Sequence, residues 1–397
     1  MKKTLCLIIS AILFVLLLTA CGNEKQNKKA QAPEGTHKLL FRDNSKSESV
    51  TANFINSKSG TEAKVEMKLE KEDDGSKTFS CMGDPKSFNK VYFTYQSGNT
   101  AEVAYNELVQ GWYNSTYGFL PYIEGDEEEY NNVKYDTKTF DYRTYKKDVF
   151  IWKPADYDAS SDEKYSVIYL EDGDKMLDRT TPDSEGSGSW NVAESVAGMM
   201  TQSGNKAIVV AISTPEITRS SELLPDLGEV HESMFSLEEK GGKYFSDFVC
   251  NTVVPYIEKN YNVFTDPAHN AVCGSSLGGL ESFYIGMEHP EKFGTIGAMS
   301  PSLGFFDFAN WERFLTGKSF DENSPFVYIY AGGDTTDNGS SSKAMAEYLP
   351  KIGYPNDKVF LDILENGEHS VPFWRNIFSE FLKAIFDPRG LIDLNDK

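Results

Sequence analysis

One short stretch of this chain, Gly274-Ser275-Ser276-Leu277-Gly278, has the residue types and spacing of a tight turn that presents a serine hydroxyl as a nucleophile. It is the only Gly-x-Ser-x-Gly in the sequence. An apolar run over 270–274 precedes it and a helical pattern over 279–288 follows, so the turn joins a strand to a helix. Small residues at Gly274 and Gly278 relieve the crowding of such a turn, and Ser276, not Ser275, carries the outward Oγ. The helix behind it directs its first N–H groups at a developing oxyanion, with the Leu277 N–H as the nearest donor.

A serine hydroxyl needs a base, and the chain offers five histidines. His37 lies at the start of the folded region, His231 and His269 lie in loops before the serine, and His289 closes the helix after it. His369 remains, beyond the last apolar strand, in the order serine, acid, histidine of an α/β-hydrolase. The acid should follow the strand over 327–331, which runs into Gly332-Gly333-Asp334; Asp334 is the first choice, with Asp337 as the alternative. Glu365 and Glu368 read as solvated neighbours of His369. A second oxyanion donor is expected from the backbone N–H of Gly173 or Asp174, in the turn after an early strand. Asp172-Gly173-Asp174 with Asp178 lacks the rest of an EF-hand loop, so no metal is assigned, and acyl transfer through serine needs no cofactor.

The elements that must position these groups alternate strand and helix, which predicts an α/β domain over 135–388 with a mostly parallel sheet wrapped by helices. Its strands are expected at 148–152, 166–170, 207–212, 270–274, 295–299, 327–331 and 359–364, and its helices at 244–261, 279–288, 341–352 and 372–386. Before it, residues 37–130 alternate polar and apolar in short bursts between turn formers, the pattern of a small β-sandwich. Val65, Met67 and Leu69 are expected on one face of a single strand there. The run from Gly111 to Phe119 holds four aromatics, suited either to stacking on sugars or to cementing the sandwich to the next domain. The acidic run 125–129 reads as a solvated loop. Cys81, Cys250 and Cys273 are expected to be free and buried.

Lys2 and Lys3 followed by an apolar run over 5–18 form an export signal over 1–20. The run ends in Leu18-Thr19-Ala20-Cys21-Gly22, which resembles a bacterial lipobox, so Cys21 is the expected lipid-anchored N-terminus at the cell membrane and 21–36 a flexible tether. The 397 residues carry 60 acidic against 39 basic side chains, a net charge of −21, which disfavours a nucleic-acid partner.

Further features fall in a fixed order. They are Lys153-Pro154 with Tyr157-Asp158, the segment from Tyr165 to Gly173, Val209 to Ile212 with Arg219 and Glu222, and Val254-Pro255-Tyr256-Ile257 after Phe248. The turn extended to Gly279, His289-Pro290-Glu291-Lys292-Phe293 and Ser300-Pro301-Ser302 complete the series. From about 146 to 386 the chain resembles the esterase branch of the α/β-hydrolases, which includes esterase D, enterochelin esterases and the feruloyl and acetyl-xylan esterases. The resemblance implies Ser276 as nucleophile, His369 as base and the acid of the Gly-rich turn at Asp334. Asp174 departs from the Gln common in relatives, and Leu277 from Met. With export, the resemblance implies a surface-anchored ester hydrolase acting on feruloyl or acetyl groups of polysaccharide. Siderophore trilactone hydrolysis is the alternative among enzymes, and a glycan- or solute-binding lipoprotein the alternative of another class.

Overall fold

A computed structural model describes residues 37–386, apart from 44–46, 73–76, 85–86, 97, 101–102, 105–110, 115–117, 122–132, 178–188, 231–239, 335–336, 338 and 365–366. The export signal, the tether with Cys21, the acidic run 125–129, His231, Asp178 and Glu365 therefore lie outside the described residues.

Ten short strands open the fold: β1 (His37–Asp43), β2 (Thr51–Asn56), β3 (Thr61–Glu66), β4 (Lys68–Glu72), β5 (Lys77–Gly83), β6 (Lys90–Tyr95), β7 (Gly98–Asn99), β8 (Val103–Ala104), β9 (Gly111–Asn114) and β10 (Gly118–Pro121). One sheet has the order β10-β9-β1-β5-β4; the other runs β3-β2-β6-β7, with β8 also paired to β6. Between them lies one apolar cluster with Leu39, Phe41, Ala52, Phe54, Met67, Phe79, Val91 and Phe93 buried. This is a β-sandwich. The single alternating strand expected through Val65, Met67 and Leu69 is instead two. β3 pairs with β2 in one sheet and β4 with β5 in the other, and Met67, whose N–H bonds Val50 O, is the buried crossing point. Leu69 consequently faces outward at 45% exposure, because the chain changes sheets within the alternation. Trp112 and Tyr113 lie on β9, whose backbone pairs in parallel with β1.

The larger sheet contains β11 (Tyr135–Tyr142), β12 (Tyr145–Trp152), β13 (Ser166–Leu170), β14 (Ala207–Ile212), β15 (Asn270–Ser275), β16 (Thr295–Met299), β17 (Phe326–Gly332) and β18 (Val359–Leu364). Its order is β11-β12-β14-β13-β15-β16-β17-β18; β13 to β18 run parallel, and the β11–β12 hairpin adds an antiparallel edge. The seven expected strands are all present. The added β11 is half-exposed and polar, so its sequence carries little apolar signal. Helices are α1 (Val192–Ser203), α2 (Glu216–Glu222), α3 (Gly242–Phe248), α4 (Val254–Asn260), α5 (Leu277–Glu288), α6 (Phe308–Leu315), α7 (Gly339–Lys351) and α8 (Val371–Phe386). The helix expected over 244–261 is interrupted by a π-helical turn, Val249–Val253, between α3 and α4.

Strand periodicity distributes the core over the two faces of this sheet. Tyr169, Val210, Val272 and Ile329 point to the face covered by α3 and α5. Ile168, Val209, Ala271 and Tyr328 point to the face covered by α1 and α8. Cys81, Cys250 and Cys273 are free thiols, each buried. The sandwich adjoins this domain where β10 lies against α1 and α8.

A charged pair is built into the core. Lys147 on β12 has a fully buried side chain whose ammonium donates to Ser213 O at 2.7 Å and to the Glu222 carboxylate of α2, 4.7 Å from the Tyr142 ring centre. Burial pushes its pKa down, opposed by Glu222. Removing one partner of such a pair leaves the other charge unmatched in the interior. Lys147→Met should therefore destabilise the protein by about 3–5 kcal/mol, read as a lower urea midpoint, whereas Lys146→Met on the exposed face should change stability by less than about 1 kcal/mol.

Candidate active site

Strand β15 delivers the chain into α5 through Ser276, whose backbone sits at φ 57° and ψ −120°, a conformation that side chains rarely adopt. The turn closes because Gly274 lacks a side chain: a Cβ there would lie 2.6 Å from the Gly278 carbonyl carbon. The Ser276 N–H bonds Met299 O and its carbonyl accepts from the Ser302 N–H, both at 3.0 Å, so the turn is pinned to β16 and the segment after it. Its Oγ lies 2.9 Å from His369 Nε2 and 3.4 Å from Ser302 Oγ.

His369 precedes α8, with its side chain 38% exposed, and its Nδ1 lies 2.6 Å from Asp337 Oδ1. The acid facing the histidine is thus Asp337, which corrects the first choice of Asp334. The reason is the shape of the turn after β17. The Asp337 N–H bonds Gly333 O at 2.8 Å, folding the segment back so that the fully buried Asp337 side chain sits beneath Gly332, whose N–H donates to Oδ2 at 2.7 Å. A Cβ on Gly332 would come within 2.7 Å of Asp337 Cβ. Asp334 lies on the outside of that turn, exposed.

The turn after β13 has Asp172 at φ 57°, followed by a 3-10 turn, Gly173–Lys175. Arg219 of α2 grips Asp172 with two hydrogen bonds of 2.7 Å, and Thr214 donates to the same carboxylate. The carboxylate of Asp174, which the sequence sets beside the oxyanion loop, turns to β14 and accepts from Ser213 Oγ at 2.6 Å and the Thr214 N–H at 3.0 Å. Leu277 is the first residue of α5, so its N–H has no intrahelical acceptor. Of the other histidines, His269 pairs with Asp266 and His289 with Glu291, away from Ser276.

Two groups about the site were not singled out as polar partners from the sequence. Ser300, directly after β16, donates its hydroxyl to Asp337 Oδ2 and accepts from Trp374 Nε1 at 2.8 Å. The Trp374 ring stands edge-on to the His369 imidazole at 4.9 Å. A φ of 44° at Ser300 was invisible in the sequence.

Residues 144–331 match the family described as "Putative esterase". The Bacillus subtilis protein YbbA is 22% identical over 245 residues, covering 59% of this chain and 91% of that protein. The endo-1,4-beta-xylanase/feruloyl esterase of Xylanibacter ruminicola is 22% identical over 224 residues, covering 56% of this chain but 27% of that longer protein. Among solved structures, the enterobactin esterase FES from Shigella flexneri superposes with a TM-score of 0.51 at 15% identity, covering 88% of this chain and 92% of that one. The shared fold is that of the α/β-hydrolases.

Behind the serine turn lie two buried acids. Glu171, at the end of β13, accepts from Ser282 Oγ at 3.1 Å through Oε1, while its Oε2 and both oxygens of Glu281 on α5 have no hydrogen-bond partner among the described residues. Burial pushes both well above the ordinary carboxylate value, which favours the neutral acid. An unfolded chain releases those protons above about pH 4.5 and the folded one does not, so each acid's contribution is fully present below that pH and declines as pH rises toward its folded value. Glu281→Gln, neutral at every pH, should match the parent in Tm near pH 4 and exceed it by a margin that widens as pH rises. Equal pH dependence of the two melting curves would contradict this.

Proposed function

We propose, from the premise that residues 144–331 are an esterase-branch α/β-hydrolase domain, that this protein is a serine carboxylic ester hydrolase working through Ser276, His369 and Asp337. The single observation that carries the reading is the continuous hydrogen-bond chain from the strained serine through His369 Nε2 and Nδ1 to the buried Asp337. In the proposed reaction His369 Nε2 takes the Ser276 proton as Oγ attacks the ester carbonyl. The imidazolium then gives that proton to the departing alkoxide, leaving an acyl-serine, and the same imidazole activates the water that releases the acid. Asp337 fixes the tautomer by accepting from Nδ1–H and stabilises the imidazolium. Developing negative charge on the carbonyl oxygen is met by the Leu277 N–H and by backbone N–H of Gly173 or Asp174.

As substrate we infer feruloyl or acetyl groups on plant polysaccharide, encountered by a lipoprotein anchored outside the cytoplasmic membrane through Cys21. The likeness to a protein named as a xylanase and feruloyl esterase supports that class. A siderophore trilactone is the second reading, favoured by one observation: the fold match to an enterobactin esterase covers 88% of the chain and so extends beyond the α/β domain.

The test is hydrolysis by the full chain of methyl ferulate, acetylated xylan, p-nitrophenyl acetate and a ferric catecholate trilactone, with fluorophosphonate labelling alongside. Ser276→Ala should abolish labelling and lower turnover by several orders of magnitude with little change in stability. Asp337→Asn should lower kcat by about 10³–10⁴-fold, while Asp334→Asn should stay within about threefold of the parent. Absence of both labelling and turnover in the parent would move the protein to the binding-lipoprotein class. Cys21→Ser should shift the protein from the membrane to the soluble fraction, and retention on the membrane would refute the anchor.

A further inference from the structure

We propose that Trp374 and Ser300 form a hydrogen-bond relay that orients the buried Asp337 carboxylate and keeps it ionised against His369, making both of them positioning residues. Its kinetic consequence rests on the esterase reading above, whereas its effect on the protonation of His369 does not.

The relay has a fixed polarity. An indole Nε1–H only donates, so at 2.8 Å it must donate to Ser300 Oγ. The one proton of that hydroxyl is then directed at Asp337 Oδ2, where the Gly332 N–H also donates at 2.7 Å. With Oδ2 held by two donors, Oδ1 is left aimed at His369 Nδ1. The serine is placed for this at φ 44°, its N–H bonded to Tyr330 O at 2.7 Å, a backbone region where glycine would be easier. Ser300 is buried, and its hydroxyl reaches no solvent-facing role. Trp374 enters the site from the first turn of α8, and its ring packs on Trp190 while meeting the imidazole edge-on. One side chain therefore sets both the hydroxyl behind the acid and the plane of the histidine.

The chargeable groups around this pair come from several elements. Tyr330 and Asp362 lie on β17 and β18, Asp334 on the turn before α7, and Glu368 next to the histidine. Burial raises Tyr330 well above its ordinary value, so it stays neutral. A hydrogen bond donated to a carboxylate favours its ionised form. Removing a donor must therefore raise the apparent midpoint at which the pair takes up a proton.

The deciding measurement is the pH titration of ring-¹⁵N-labelled histidine by NMR in the purified full chain, with His369→Asn identifying the resonance among the five histidines. It runs beside the acid limb of kcat/KM on p-nitrophenyl acetate. Ser300→Gly removes the hydroxyl without backbone strain and should raise the His369 midpoint by about one pH unit, and lower kcat about 10–100-fold with KM changed less than about twofold. Trp374→Phe keeps a ring but not the donor, and should move the midpoint in the same direction by a smaller amount; it serves as the test on its own if Ser300→Gly does not fold. An unchanged midpoint in the folded variants overturns the relay, whatever their activity. A raised midpoint in a protein whose parent hydrolyses no ester leaves the relay standing and removes the esterase reading instead.

Discussion

The turn at Ser276 is the constraint on which the rest of the site depends. A residue at φ 57° and ψ −120° persists only where its surroundings over-determine it. Here Gly274 and Gly278 touch backbone to backbone, and the two ends of the turn are hydrogen-bonded to Met299 and Ser302. The parallel sheet makes this feasible: β15 is central, flanked by β13 and β16, so the turn emerges between two other strand ends that can carry partners. The segment after β13 carries Gly173 and Asp174, and the segment after β16 carries Ser300 and Ser302. This is the crevice at the carboxyl ends of parallel strands where α/β folds place ligands.

The same packing explains why polar groups are gathered behind the turn and how they are kept quiet. Asp172 is matched by Arg219, Glu222 by Lys147, and Asp174 by the hydroxyl and amide of Ser213 and Thr214. Glu171 and Glu281 form no ion pair among the described residues, and burial pushes both toward the neutral acid. Asp337 is the exception that chemistry requires: it is buried too, but surrounded by donors on both oxygens. Burial alone disfavours a carboxylate, and hydrogen bonds to its ionised form restore it.

Much of the larger fold was legible because parallel strands buried on both faces read as continuous apolar runs between helical patterns. The seven strands from β12 to β18 follow from that signal, as do Ser276, identified by its flanking glycines, and His369, by elimination among five histidines. The half-exposed β11 and the short α2 carry no such signal. In the sandwich, alternation through Val65, Met67 and Leu69 gave a period but could not reveal that the chain changes sheets at Met67, since each sheet demands the same period.

What the sequence determined by itself was the serine turn, the histidine that faces it and the architecture that carries them, because each is encoded in residue type, spacing and periodicity. Which aspartate serves the histidine was decided only in three dimensions. Asp334 and Asp337 are three residues apart in one Gly-rich turn, and along the chain Asp334, directly after Gly332-Gly333, reads as the first choice. The turn folds back on Gly332, bringing Asp337 under the strand end and leaving Asp334 in solvent. Ser300 and Trp374 were likewise beyond sequence reasoning, for their contact joins residues 74 positions apart and depends on a positive φ that no residue type announces. A long-range hydrogen bond is a property of the packed fold, and the sequence specifies it only through the whole set of contacts that brings its two ends together.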